Sequence, residues 1–157
     1  MLYNYAFYLF GAAFNVFFLL YVALVSLSLF ALVFALANFY VTAISQAFST
    51  KTPIRWISGF MMFIAAFLGF KWIADSLNFV FTGKLPQAII DFAHPTNIVF
   101  ALDLSLIVPW MILGAIWLWQ RRPWGYIVAA IMTIKAATYG LVLIASTVYV
   151  ALSGTYD

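Results

Sequence analysis

The sequence predicts an all-α membrane protein, a polytopic transmembrane helix bundle of four full spans with a short N-terminal helical arm. Of its 157 residues, 68% are hydrophobic and only 7% are charged, and the mean hydropathy is +1.11. A soluble domain carries about 25% charged residues, and a disordered chain combines low hydrophobicity with high net charge. The composition therefore excludes both classes. Strands of a membrane barrel alternate apolar and polar residues over about 10 positions. The apolar runs of this chain are continuous and show no such alternation, so a β-barrel is excluded as well.

The first apolar run is too long for one straight helix across a bilayer. No charged residue occurs from Leu2 to Tyr40, whereas about 20 residues cross the hydrocarbon core of roughly 30 Å. We expect a break at 11–15 (GAAFN), which leaves an arm over 2–10 and a complete span over 16–38. Nine helical residues reach only about 14 Å, so the arm should not cross the membrane alone.

The second full span is expected over 54–80. Thr52 can cap a helix, and Pro53 suits the first helical position. The sequence TGKLP at 82–86 is typical of a turn, and 87–94 is expected to form a short amphipathic or irregular surface segment.

Two further spans complete the predicted bundle. The third covers 95–120 and contains Pro109, which leaves the carbonyl of Ser105 without its usual helical donor. Arg121 and Arg122 mark the sharpest boundary in the chain, and the last span follows over 123–152. The whole chain is thus predicted to be one transmembrane domain.

Basic residues in the loops predict the orientation. Lys and Arg concentrate in cytoplasmic loops. One side of the predicted bundle carries Lys51, Arg55, Arg121 and Arg122, whereas the loops of the other side carry only Lys84. The first side is therefore expected to face the cytoplasm. Most tryptophans then fall near an interface, with Trp72 in the outer aromatic belt.

Four blocks of the sequence carry a family resemblance. They are LYNYAFYLFGAAFN at 2–15, LYVALVSLSLFAL at 20–32, HPTNIVFALDLSLIVP at 94–109 and RRPWGY at 121–126. Together they resemble an uncharacterised family of bacterial multi-pass integral membrane proteins of unknown function. The resemblance implies a bacterial plasma (inner) membrane, and it supplies no activity, cofactor or catalytic residue. Members of that family usually carry further transmembrane sequence before the first block.

Ionisable residues inside the spans are the candidates for a functional site, because charges are costly in a bilayer. Lys71 and Asp75 are four residues apart and share a helix face. Lys71 lies about 25 Å from the start of its span, so its amine can reach the outer interface. We expect this pair to be a boundary ion pair.

Asp103 and Lys135 form the central candidate. Helical rise places Asp103 about 10 Å and Lys135 about 14 Å below the outer face, so the two charges can pair if their helices face each other. Ser105, Thr138 and Tyr139 add polar groups around them. Three interpretations stay open: a buried salt bridge that fixes helix register, a substrate or ion pathway, and a Schiff-base lysine with Asp103 as counter-ion.

No other motif favours chemistry. The chain has one histidine, His94, and no cysteine, which excludes the usual zinc and bis-histidine haem sites. Asp91 and His94 could supply two parts of a triad, but no nucleophile is singled out, and His94 before Pro95 is typical of a loop or cap.

The sequence thus predicts a non-catalytic integral membrane protein without metal or cofactor, either a structural or accessory subunit or an orphan helical bundle. Its expected partners are the lipid bilayer, other membrane subunits or a second copy, and not nucleic acid. The alternative is a small oligomeric transporter or channel-like protein whose polar site lies near Asp103 and Lys135.

Overall fold

Helices account for nearly all of the regular structure in the computed structural model, which describes residues 1–49, 51–92 and 96–153. The elements in chain order are α1 (Leu2–Gly11), α2 (Phe18–Ala37), α3 (Val41–Gln46), α4 (Ile54–Thr82), α5 (Gln87–Phe92), α6 (Ile98–Leu102), a π-helical turn (Asp103–Ile107), α7 (Val108–Trp119) and α8 (Pro123–Ser153).

Four spans in the described ranges are long and apolar enough to cross a membrane. They are Phe18–Ala37, Ile54–Thr82, Ile98–Trp119 and Pro123–Ser153. The third combines α6, the π-helical turn and α7 without interruption. The predicted fold class of four spans and a short N-terminal helix is confirmed, and the ends of the spans differ from expectation by at most three residues. His94 and Pro95 lie outside the described residues.

The break between α1 and α2 occurs where the GAAFN segment predicts it. The helix α1 ends at Gly11, and Ala12 is extended. Asn15 then turns the chain: its Oδ1 accepts a hydrogen bond from the Phe17 amide at 2.8 Å, and its Nδ2 donates to the Ala13 carbonyl at 2.9 Å. A side chain that bonds to nearby backbone in this way competes with helix formation, so α1 and α2 are separate helices.

The core forms where α7 packs between α4 and α8. One buried cluster contains Ile54, Met61, Ala115, Leu118 and Ala129, and a second contains Ala65, Ile107 and Met111. Glycines allow the close approach. A Cβ added at Gly125 would collide with the backbone of Trp117 and Leu118, and one at Gly114 with the Val128 side chain. Small residues at helix crossings are the usual means of tight packing in membranes.

The π-helical turn has its cause in Pro109. Proline has no backbone N–H and its ring clashes with the carbonyl four residues earlier, here that of Ser105. The amide of Val108 donates to the carbonyl of Asp103, five residues back, and the Ser105 hydroxyl donates to the Ala101 carbonyl at 2.6 Å. Such π turns inside α-helices are frequent at functional sites. This one begins at Asp103.

The arm α1 and the span α2 lie beside this core. α1 packs against both α2 and α6, and the rings of Tyr8 and Tyr21 stack with centroids 5.9 Å apart. None of the residues of α2 is buried. At the other end of the molecule α3 packs on α8, with the rings of Phe48 and Tyr126 5.1 Å apart.

The loops place four cations at one end of the bundle. Ile54 and Leu118 belong to one cluster, so the start of α4 and the end of α7 lie together. We call this the basic end, defined by Lys51, Arg55, Arg121 and Arg122.

Candidate functional site

Asp103 is the centre of the only polar cluster that the hydrogen bonds of the described residues define between helices. Its side chain is buried, with 8% exposure. The Tyr3 hydroxyl of α1 donates to Oδ1 at 2.8 Å, and the Trp72 indole N–H of α4 donates to Oδ2 at 3.1 Å. Each carboxylate oxygen therefore has a donor, and charge-assisted hydrogen bonds of this kind are about twice as strong as neutral ones.

Two side chains contact the Trp72 ring, Phe100 and Lys71. Its ring stacks on that of Phe100, with centroids 4.0 Å apart and an interplanar angle of 23°. The Lys71 ammonium lies 4.2 Å from the centre of the Trp72 ring. Phe100 is buried in α6, one turn before Asp103. The stacking therefore fixes the indole so that its N–H meets the carboxylate.

Lys135 joins the cluster through Tyr3. Its Nζ lies 3.8 Å from the centre of the Tyr3 ring, a distance typical of a cation–π interaction. The expected direct pairing of Asp103 with Lys135 is not present: among the described residues the only ion pair joins Lys71 and Asp75. The physical reason is that α1 inserts Tyr3, whose ring receives the cation while its hydroxyl binds the anion.

The other predicted members do not bind Asp103. Ser105 and Thr138 are exposed on their helices, and their hydroxyls donate to carbonyls of the same helix: Ser105 to Ala101 at 2.6 Å, Thr138 to Lys135 at 2.9 Å. Tyr139 is half-exposed. A hydroxyl that bonds to its own helix is already satisfied, so these residues add little polarity to the cluster.

Lys71 and Asp75 form an ion pair between Nζ and Oδ2 at 3.3 Å, with 49% and 38% of their side chains exposed. Exposed pairs of this kind are worth about 0–1 kcal/mol. The same Lys71 ammonium that pairs with Asp75 also contacts the Trp72 ring.

Sequence reasoning missed Tyr3 and Trp72, the two donors to Asp103. Tyr3 lies in the arm, and Trp72 fell in the expected outer belt. The available signal was chemical: a buried carboxylate requires hydrogen-bond donors, and tyrosine and tryptophan combine an apolar body with a polar donor.

The described residues do not assemble a reactive constellation. They contain no group of three His, Cys, Asp or Glu side chains that could hold a metal ion. The side chain of Asp91 and all of His94, the pair considered for a triad, lie outside that description.

Two clefts of the described part lie away from Asp103. One, of about 510 Å³, lies between α4 and α7 near the basic end. The other, of about 220 Å³, lies between α8, the loop that precedes α4, and the facing residues Ile57 of α4 and Leu118 of α7. What the Asp103 cluster can do is connect four segments of chain: α1, α4, the π-helical turn and α8.

Comparison with protein-family models, with curated proteins and with solved structures finds no match to this chain.

Proposed function

We propose that this protein is a non-catalytic helical bundle of the bacterial plasma membrane that acts as a structural or accessory subunit. The supporting observation is the state of Asp103: both carboxylate oxygens accept hydrogen bonds from Tyr3 and Trp72 of the same chain. A carboxylate whose acceptors are bound within the protein connects helices. A transport site needs instead a carboxylate open to water or to its substrate.

The hydrogen bonds to Asp103 offset the cost of burying its carboxylate. A carboxylate in the bilayer interior is costly by several kcal/mol, and hydrogen bonds to a charged group contribute about 1.5–3 kcal/mol each. The arrangement that brings Tyr3 and Trp72 to Asp103 recovers that cost. An alternative rotation of α1 would remove the Tyr3 donor from Asp103 and the Tyr3 ring from Lys135. The cluster thus favours one packing of helices that are otherwise apolar on all faces.

The membrane and the orientation rest on the sequence. The resemblance to bacterial multi-pass proteins supports the plasma membrane. The four cations of the basic end, against Lys84 in the loops of the other side, support a cytoplasmic location for the basic end.

A second candidate is an oligomeric transporter or channel-like protein that uses the same region. One observation favours it: Lys135 lies within a span and makes no ion pair in the described part of the chain. Intramembrane cations without a carboxylate partner also mark ion routes.

Proton and ion flux in proteoliposomes separates the two candidates. If the protein is a structural subunit, liposomes that contain the wild-type protein should pass protons and ions under an imposed potential no faster than protein-free liposomes do. Asp103→Asn should lower the thermal midpoint in detergent without changing that rate. The matched control is Asp75→Asn, in the exposed ion pair, which should leave the leak rate unchanged and lower the thermal midpoint less than Asp103→Asn does. Flux that requires Asp103 would contradict the structural role and support the transporter.

A further inference from the structure

The cleft between α4 and α7 begins at the basic end. Small residues open it on both helices: Gly59 and Ala66 on α4, and Ala115 on α7. From Ser58 to Ala66 it follows α4 for about 12 Å at helical rise. Its volume of about 510 Å³ lies within the range of roughly 300–1,000 Å³ that ligand sites have.

The cleft faces the lipid and not the protein interior. Phe63 and Trp119, which line it, are 65% and 60% exposed. Its surface is almost wholly apolar, and the polar group at its mouth is Gln120, the last residue before Arg121 and Arg122. An occupant of this cleft is therefore apolar along most of its length and polar at the basic end.

Arg121 has a backbone conformation that glycine usually adopts. Its φ is +56°. The Arg121 amide donates to the Leu118 carbonyl at 2.9 Å, and the Arg122 amide donates to the Trp117 carbonyl at 2.8 Å, which is the hydrogen-bond pattern of a Schellman motif. The left-handed position of this motif is most often glycine, because other residues are strained there. A backbone conformation that is strained for arginine motivates the hypothesis that its side chain has a functional role.

The arginines at this end form no ion pair with the acidic side chains that the structure describes. Within the described residues Arg55, Arg121 and Arg122 make no ion pair. The acidic side chains that the structure describes are Asp75, in the ion pair at the far end of α4, and Asp103, in the polar cluster. Within the described residues, the basic end thus combines several cations with no acidic side chain beside them.

We propose that the α4–α7 cleft binds one acyl chain of an anionic phospholipid, whose phosphate is held by Arg121 and Arg122. A lipid supplies both parts that the site requires, an apolar chain and a phosphate at the interface. Basic pockets between transmembrane helices bind anionic headgroups in this way. A partner helix fits less well, because it would cover far more than 12 Å of α4.

Brominated lipids test the proposal, because bromine on an acyl chain quenches a tryptophan that it contacts. The full chain is reconstituted in phosphatidylcholine bilayers containing brominated phosphatidylglycerol or brominated phosphatidylcholine. The difference between wild type and Trp119→Phe isolates the signal of Trp119. Brominated phosphatidylglycerol should quench the Trp119 signal at a lower mole fraction than brominated phosphatidylcholine does. Arg121→Gln/Arg122→Gln should reduce that preference by about fivefold for each arginine. No preference in wild type, or an unchanged preference in the double variant, would overturn the proposal.

The cleft itself is tested with a matched pair of glycine substitutions. A Cβ at Gly59 or at Gly140 meets no atom within 4 Å, so both positions accept a side chain at its first atom, but only Gly59 lines the cleft. Gly59→Leu should abolish most quenching of Trp119 by the anionic lipid, and Gly140→Leu should leave it unchanged. Equal effects of the two variants would place the lipid elsewhere.

Two further measurements distinguish a bound lipid from a packing role of Arg121 and from a bound free phosphate ester. Arg121→Gly removes a cation and relieves the strained backbone, so it should raise the thermal midpoint while lowering the lipid preference. A lower midpoint would mean that the side chain serves packing. Glycerol 3-phosphate in solution should not displace brominated phosphatidylglycerol. Full displacement would mean that the site binds a free phosphate ester, which would overturn the lipid assignment.

Discussion

The hydroxyl of Tyr3 donates a 2.8 Å hydrogen bond to the carboxylate of Asp103, 100 positions later in the chain. This contact fixes the short helix α1, which is too short to cross a bilayer, to the third span. It also explains why Asp103 and Lys135 share a cluster without touching, since the ring of the same tyrosine receives the Lys135 ammonium at 3.8 Å.

The first prediction concerns this bond. Tyr3→Phe keeps the ring and removes the donor, so it should lower the free energy of unfolding by about 1.5–3 kcal/mol, the range for hydrogen bonds to charged groups. Thermal unfolding in detergent measures the loss. Tyr139→Phe is the matched control, because Tyr139 is half-exposed and does not bind Asp103. Equal losses in the two variants would contradict the assigned role of Tyr3.

The second prediction ranks the couplings around Asp103. A double-mutant cycle of Tyr3→Phe with Asp103→Leu should give a coupling of about 1–3 kcal/mol, since the two residues are in contact. The cycle of Asp103→Leu with Lys135→Leu should give a smaller coupling, because Tyr3 lies between the charges. The reverse ranking would indicate that Asp103 and Lys135 form a direct ion pair.

The third prediction concerns the crossing of α7 and α8. A Cβ at Gly125 meets the backbone of Leu118, which cannot move aside, so Gly125→Ala should cost at least about 1–3 kcal/mol, as overpacking does. Gly140→Ala places its methyl in open space and should stabilise the helix by about 1 kcal/mol or less. If both variants unfold at the same temperature, the helices do not cross at Gly125.

The fourth prediction concerns Ser58. Its side chain is 2% exposed, and its hydroxyl has no hydrogen-bond partner among the described residues. An unsatisfied buried hydroxyl costs about 1–3 kcal/mol, so Ser58→Ala should leave the protein equally or more stable. The control is Ser76→Ala, which removes a hydroxyl that donates to the Trp72 carbonyl at 2.7 Å. Because this hydroxyl is already hydrogen-bonded, its removal should not increase stability. A clear loss of stability in Ser58→Ala would show that its hydroxyl has a partner in the membrane.

The fifth prediction is topological. The chain has no cysteine, so single cysteines report without background. An impermeant thiol reagent applied to intact cells should label Lys84→Cys and leave Lys51→Cys and Arg122→Cys unlabelled, because cations concentrate in cytoplasmic loops. Strong labelling at 51 with none at 84 would reverse the orientation.

The sequence by itself determines the spans. Each one needs about 20 apolar residues to match the hydrocarbon thickness, and that requirement is visible without any knowledge of packing. The helix break near Gly11, the start of α4 at Ile54 and the boundary at Arg121 are local properties of the chain, so their predicted positions agree with the structure. The expected cap of α4 is wrong: Pro53 and not Thr52 is the N-cap residue, and no side chain caps the helix. The same arithmetic places Asp103 and Lys135 at similar depth.

The tertiary structure decides which side chains meet. Helical rise gives the depth of a residue in the membrane, but it gives neither the rotation of a helix nor the identity of its neighbours. A nearly uniform apolar surface leaves that rotation unspecified in the sequence. Packing selects Tyr3 and Trp72 as the donors to Asp103, which is the first residue of the π-helical turn. The cluster exists because helices far apart in sequence bring their few polar groups to one point, where each satisfies another.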